Sequence, residues 1–245
     1  MEPVQPGGSI AALSKLSPLI DAPGERLPSD LRLHVLTTEH WSLLSTRALT
    51  WNEAFSRATM FLSALTGSVV ALALVAGVMG FDDGFATFAL LLLPVLLFAG
   101  VGTFRRLIEI NREDVRWVVG MNRLRHAYLE AAPELRPYFV TAWTDDEAGI
   151  MTTFGAKPGP GSFAHEFVTT PGLIAVIDGV LAGVLAALLG LQIGAGTGIS
   201  IVLAVGAAVL TIGLLAWVQY RLVIRPRGLE PRFPERQPDL PATKQ

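Results

Sequence analysis

The sequence predicts an all-α integral membrane protein: four transmembrane helices in two hairpins, with long cytoplasmic helical extensions of helices 1 and 2. Three observations carry that prediction. Four long segments are nearly free of charge, the basic residues cluster where one side of a membrane can hold them all, and helical periodicity continues past the apolar segments into polar sequence. Hydrophobic residues make up 51% of the chain and charged residues 16%, with a mean hydropathy of +0.48. A soluble domain usually carries about a quarter charged residues, and here the shortage is concentrated in a few stretches, the pattern of lipid-facing helices.

Residues 1 to about 36 are rich in Pro, Gly and Ser and read as a flexible tail, with Pro18, Pro23 and Pro28 preventing a long helix. They lack a charged n-region followed by an apolar core, so they do not read as a cleavable signal peptide. Thr37 and Thr38 are placed to cap a helix opening at Glu39. The first span is expected at about 58–80, uninterrupted by charge, and about 20 apolar residues at 1.5 Å each cross the ~30 Å hydrocarbon core. After the turn FDDG, the second span covers about 85–104, with Pro94 at mid-span as the expected site of a kink.

The first hairpin with its extensions occupies 37–132, closed by Pro133, and 133–170 reads as a cytoplasmic loop with an acidic start and a proline–glycine hinge. The second hairpin occupies 171–222, with spans at about 172–190 and 198–220 and Pro171 suited to a first helical turn. Residues 223–245 are too proline-rich and polar to fold alone and read as a disordered tail.

Orientation follows from the basic residues. The short connections GFDDG and LQIGAGTG contain no Lys or Arg, whereas Arg47 and Arg57, the central group from Arg105 to Lys157, and Arg221, Arg225, Arg227, Arg232 and Arg236 flank the spans. All three basic regions fall on one side only if there are four spans, which places both termini in the cytoplasm and the protein in the cell membrane.

Periodicity describes the extensions. Trp41, Leu44, Ala48, Trp51, Phe55, Ala58, Leu62, Leu65 and Val69 recur at alternating spacings of three and four, a coiled-coil-type seam that enters the bilayer unbroken. Beyond the second span, Arg105, Arg112, Arg116 and Arg123 share a narrow stripe, while Ile110, Trp117, Met121, Leu124 and Tyr128 share another face. The apolar faces pack on each other or on those of neighbouring subunits.

Over about residues 38 to 131, a two-span hairpin with helical extensions is similar in architecture to the SLATT-type membrane effectors of bacterial defence systems, a likeness that implies an oligomeric pore. The stretches LTWNEAFSRATMFL, MNRLRHAYLE and TDDEAG resemble an uncharacterised family of four-span membrane proteins from high-GC Gram-positive bacteria. That resemblance covers most of the chain and implies the four-span fold without an activity.

Asp178 is the one acidic residue inside a span. A charge in hydrocarbon is costly, so it faces a cavity or proton path, lies near the interface, or pairs with a Ser, Thr or Arg of another helix. Ala175, Gly179, Gly183 and Ala187, and likewise Ser63, Gly67 and Ala71, form small-residue ridges that let helix backbones approach, within or between subunits. Arg112 and Arg116 sit one turn apart and repel; Glu109 and Glu113, anionic headgroups of the cytoplasmic leaflet, or a phosphate-containing ligand offset this, with lipid and salt bridges favoured. Asn122, Arg123, His126 and Tyr128 form either a polar site or a solvated helix face, and Asp145, Asp146 and Glu147 lack the ligand spacing of a calcium loop.

Enzyme chemistry has no support. Cysteine is absent, the four histidines show no metal-ligand spacing, and Gly155 with Lys157 does not make a phosphate loop, so no catalytic residue, metal or cofactor is assigned. Nucleic acid is not an expected partner, because membrane orientation accounts for the basic residues. The expected function is a homo-oligomeric membrane assembly, a channel or pore or a scaffold. The alternatives are a small proton-coupled secondary transporter using Asp178, or an accessory subunit of a membrane complex.

Overall fold

The computed structural model describes residues 28–155, 169–223 and 230–234. The described elements are helical: α1 (Ser29–Met79), α2 (Asp83–Ala131), a 3-10 turn (Pro133–Tyr138), α3 (Glu147–Thr153), α4 (Thr170–Gln192) and α5 (Gly196–Val223). α1, α2, α4 and α5 are each long and apolar enough to cross a membrane. Residues 1–27, Lys157, His165, Arg225, Arg227 and Arg236 lie outside the described residues.

The chain divides into two compact units, one ending at Ser42 and one beginning at Leu43. In the first, helix opens at Ser29, earlier than the capping threonines suggest. Pro28 is the last breaker, its carbonyl accepts from Arg32 N at 2.9 Å, and Asp30 complements the helix dipole in the first turn. Thr38, expected as a cap, instead donates its hydroxyl to His34 O at 2.9 Å inside the helix. Residues 29–36 therefore belong to a helix and not to a tail.

In the second unit, α1 presents Thr50, Ala54, Ala58 and Phe61 to the interior. Gly80, at φ 74°, ends α1, and Asp82 caps α2 by accepting from Phe85 N at 3.0 Å. α2 then runs as one helix with Pro94 inside it. Thr169 caps α4, accepting from Gly172 N at 3.3 Å, with Pro171 in the first turn where no amide proton is needed.

Small residues set the closest helix contacts. A Cβ on Gly179 would overlap the Ile212 side chain, one on Gly183 would stand 2.9 Å from Ala204 O, and one on Gly190 would stand 2.7 Å from Ser200 Oγ. These pairings run α4 and α5 in opposite directions, with Gly179 and Gly183 at the contact between them. Gly67 on α1 has open space around it instead. Across the α2–α4 contact, Gly100 leaves a recess that the Asp178 carboxyl fills, and the surrounding core includes Leu93, Leu96, Phe104, Ile174, Ala175 and Leu181.

Within the loop expected over 133–170, the described residues 133–155 are more structured than their composition suggests, because local hydrogen bonds replace the missing apolar pattern. Asp146 caps α3 by accepting from Gly149 N at 3.0 Å, and Gly149 itself lies so close to Thr144 O that a Cβ would overlap it. Arg136 lies 4.6 Å over the Trp143 ring between the two turns.

Gly100→Ala drives a methyl group into the space held by Asp178 and should lower stability by about 1–3 kcal/mol. Thermal unfolding in detergent should show the loss, and the Gly100→Ala, Asp178→Ala double variant should recover most of it.

Candidate functional site

The polar half of α2, beyond Phe104, carries most of the side-chain hydrogen bonds and ion pairs between the described elements. Two ion pairs join it to α1. Arg47 donates Nε and Nη2 to the two carboxylate oxygens of Asp114 at 2.6 and 3.1 Å, and Arg106 donates Nε and Nη2 to the two oxygens of Glu53, both at 2.9 Å. Both are two-pronged guanidinium–carboxylate pairs, the geometry that holds best. Hydrogen bonds from Arg106 and then Arg57 hold the Glu53 carboxyl down at about 2. Arg106 also reaches Glu113 at 3.1 Å and Glu109 at 3.4 Å.

Asp145 forms the centre of a second group, a clasp. Its Oδ2 accepts from Arg123 Nε at 2.7 Å and from Arg232 N at 2.9 Å, and its Oδ1 accepts from Phe233 N at 2.7 Å. Its own amide donates to Phe233 O at 3.3 Å. Arg123 Nη2 donates to Glu230 O at 3.0 Å, and the His126 ring stacks on Phe233 at 4.1 Å. Burial opposes ionisation of Asp145. The two backbone donors and Arg123 outweigh it and hold its carboxyl below the usual carboxylate range. Residues 230–234, expected within a disordered tail, are therefore bound to α2 and the loop before α3.

Asn122 fixes that loop from the other side. Fully buried, it donates Nδ2 to Thr144 O at 2.8 Å, and its Oδ1 accepts from Arg125 Nη1 at 2.7 Å and Thr153 Oγ1 at 3.0 Å.

The arginine stripe divides. Arg123 is committed to the clasp, while Arg105, Arg112 and Arg116 are exposed and make no ion pair or hydrogen bond among the described residues. Asp145 and Asp146, weighed as cation ligands, are occupied with backbone amides, and no cluster of metal-ligating side chains occurs among the described residues.

The α1 seam also divides. Ala58 is buried, Trp51, Leu62 and Leu65 are half-buried, and Leu44, Ala48, Phe55 and Val69 are exposed. The inner face runs instead through Arg47, Thr50 and Ala54, because the ion pair to Asp114 rotates α1 toward α2 on that side. Trp41, in the N-terminal unit, is 64% exposed.

Asp178 is 0% exposed and neither carboxyl oxygen has a hydrogen-bond partner, so the expected Ser, Thr or Arg partner is not found among the described residues. Its oxygens stand against the Gly100 backbone between α2 and α4.

Sequence reasoning missed Arg47–Asp114 and the roles of Asn122 and Asp145. One signal was available: Asp114 falls on the apolar face of α2 with Ile110 and Met121, and a lone charge there calls for a buried partner. No family model, curated protein or solved structure matches the chain.

Because its folded-state carboxyl is depressed, Asp145 contributes stability that is present above the ordinary carboxylate value and lost as pH falls through the lower, folded one. The clasp should therefore stay closed at neutral pH and open only in acid below the ordinary carboxylate range. At neutral pH, Asp145→Asn should speed tryptic cleavage after Arg232 by about tenfold, as expected for the loss of charge-assisted hydrogen bonds.

Proposed function

We propose that the chain is a multi-pass protein of the cell membrane whose copies assemble into a homo-oligomer, acting as a pore or a membrane scaffold. In this reading α1, α2, α4 and α5 cross the bilayer as two hairpins, with the termini, the polar halves of α1 and α2, and the loop between the hairpins in the cytoplasm. The same reading groups the chain with the four-span proteins of high-GC Gram-positive bacteria that its segments resemble.

The observation that carries the proposal is an apolar face on the polar part of α1 that the protomer leaves uncovered. Leu44 is 41% and Phe55 58% exposed, Ala48 lies between them, and the Trp51 ring stands 6.0 Å from that of Phe55. These residues precede the apolar span, so water and not lipid would meet them in a monomer. Their three–four spacing is the one two copies of a helix use to pack on each other. Exposed Arg105, Arg112 and Arg116 suit anionic headgroups of the cytoplasmic leaflet, each contributing about 1 kcal/mol near the surface.

Native mass spectrometry from lipid nanodiscs should show one discrete multimer for the wild type and mostly monomer for the Leu44→Glu, Phe55→Glu double variant. Unchanged thermal stability of the variant monomer would show that the exposed face serves assembly. A monomeric wild type would overturn the proposal.

One observation favours a second reading, proton-coupled transport through Asp178. A fully enclosed carboxyl without a partner among the described residues, at a helix contact inside the apolar layer, is costly and is a common feature of proton paths. Against it, two hairpins of the same orientation provide no inverted repeat. Asp178→Asn should abolish proton-driven uptake in proteoliposomes under this reading, and transport that survives would exclude it.

A further inference from the structure

Beside the clasp lies a cluster whose charges do not balance. Arg47 comes from α1, Asp114, Asn122 and Arg125 from α2, and Thr153 and Phe154 from the end of α3. Arg47 and Asp114 neutralise each other through two hydrogen bonds, and the Arg47 guanidinium stands 5.9 Å from the Phe154 ring centroid. Next to Phe154, Thr153 donates to Asn122 Oδ1, the oxygen that also accepts from Arg125. The buried Asn122 has its amide nitrogen committed to Thr144 O, so its oxygen is fixed toward both donors.

Arg125 is therefore half-buried with one neutral acceptor and no carboxylate among the described residues. Burial, and next the positive charge of Arg47, push its guanidinium down from the ordinary value. Arginine stays charged regardless, so the cluster holds two cations and one anion. Desolvated cations with donors to spare are attractive to an anion in a way that solvated surface arginines are not.

We propose that this cluster is an oxyanion site, and that it takes a phosphate group held chiefly by Arg125, with Arg47 beside it. Phosphate offers several acceptor oxygens to a forked guanidinium, and its charge supplies what Asp114 leaves unbalanced. The phosphate belongs either to a soluble ligand or to a lipid headgroup; the recognition chemistry is the same. The proposal does not depend on oligomerisation or on Asp178.

The test uses the full chain in neutral detergent, with inorganic phosphate as the probe at constant pH and ionic strength. Thermal unfolding followed by tryptophan fluorescence should show a saturable rise in Tm that chloride does not produce, since a ligand that binds only the folded state stabilises it. Arg125→Gln should be at least as stable as the wild type in chloride, because it removes an uncompensated charge. It should also raise the phosphate concentration for half-maximal shift by about tenfold or abolish the shift.

Arg125→Lys, a milder change that keeps the charge and loses the fork, should weaken the phosphate response in the same direction, which keeps the test decisive if Arg125→Gln folds poorly. If free phosphate has no effect, nanodiscs of anionic and of zwitterionic phospholipid decide the lipid source: an Arg125-dependent gain with anionic lipid supports the site. No Arg125-dependent response in either setting overturns the proposal. So does a phosphate shift that survives Arg125→Gln and disappears when Arg105, Arg112 and Arg116 are replaced by Gln.

Discussion

α2 carries its 49 residues from an apolar segment into a polar one without a break, and that continuity fixes where the other groups sit. At 1.5 Å per residue it is a rod of about 74 Å. Gly100 on it admits Asp178, Arg106 takes Glu53, Asp114 takes Arg47, and Asn122 and Arg123 organise the loop and the residues 230–234. Because successive residues turn by 100°, a slip of one residue between α1 and α2 would point both Asp114 and Arg106 away from their partners. Two ion pairs spaced along one helix therefore fix register more strictly than either does alone.

The carboxylates and arginines of the polar half fall into distinct kinds. Asp114 and Asp145 are buried and satisfied by donors on both oxygens, the condition under which a buried charge holds structure. Glu53 is shared by Arg57 and Arg106 at a more exposed place, where solvent screening reduces what the pairing contributes. Arg105, Arg112 and Arg116 are exposed and make no ion pair among the described residues. Arg125 stands apart as a cation that is half-buried and, among the described residues, paired only with an amide.

The apolar helices were legible in the sequence because their signal is local: length, absence of charge, and breakers at Gly80, Pro171 and Gly194. The clasp was not. Asp145 and Phe233 lie far apart in the chain, and the residues 230–234 have the proline-rich composition of a segment that cannot form a core. It binds through backbone amides, which every residue carries, so composition gave no hint. The α1 seam shows the opposite failure. Its three–four spacing was read as a packing seam, but about half of those residues are exposed, and Arg47, polar and outside the stripe, is the one that pairs with Asp114 on α2.

Packing between helices in lipid has no hydrophobic driving force, so small residues such as Gly179 and Gly183 allow close approach without selecting one arrangement strongly. In the proposed membrane placement, selection would then come from groups in water, where charge-assisted hydrogen bonds and apolar burial both favour one geometry. The clasp is well placed for that role. It attaches residues that follow α5 to Arg123 and His126 on α2, while α4, packed on α5, meets α2 at Gly100. The α2–α4 contact around Asp178 and the clasp therefore share one rigid helix, and a rotation of α2 that opened the first would strain the second. In the proposed membrane orientation, the cytoplasmic groups hold the intramembrane contacts in register.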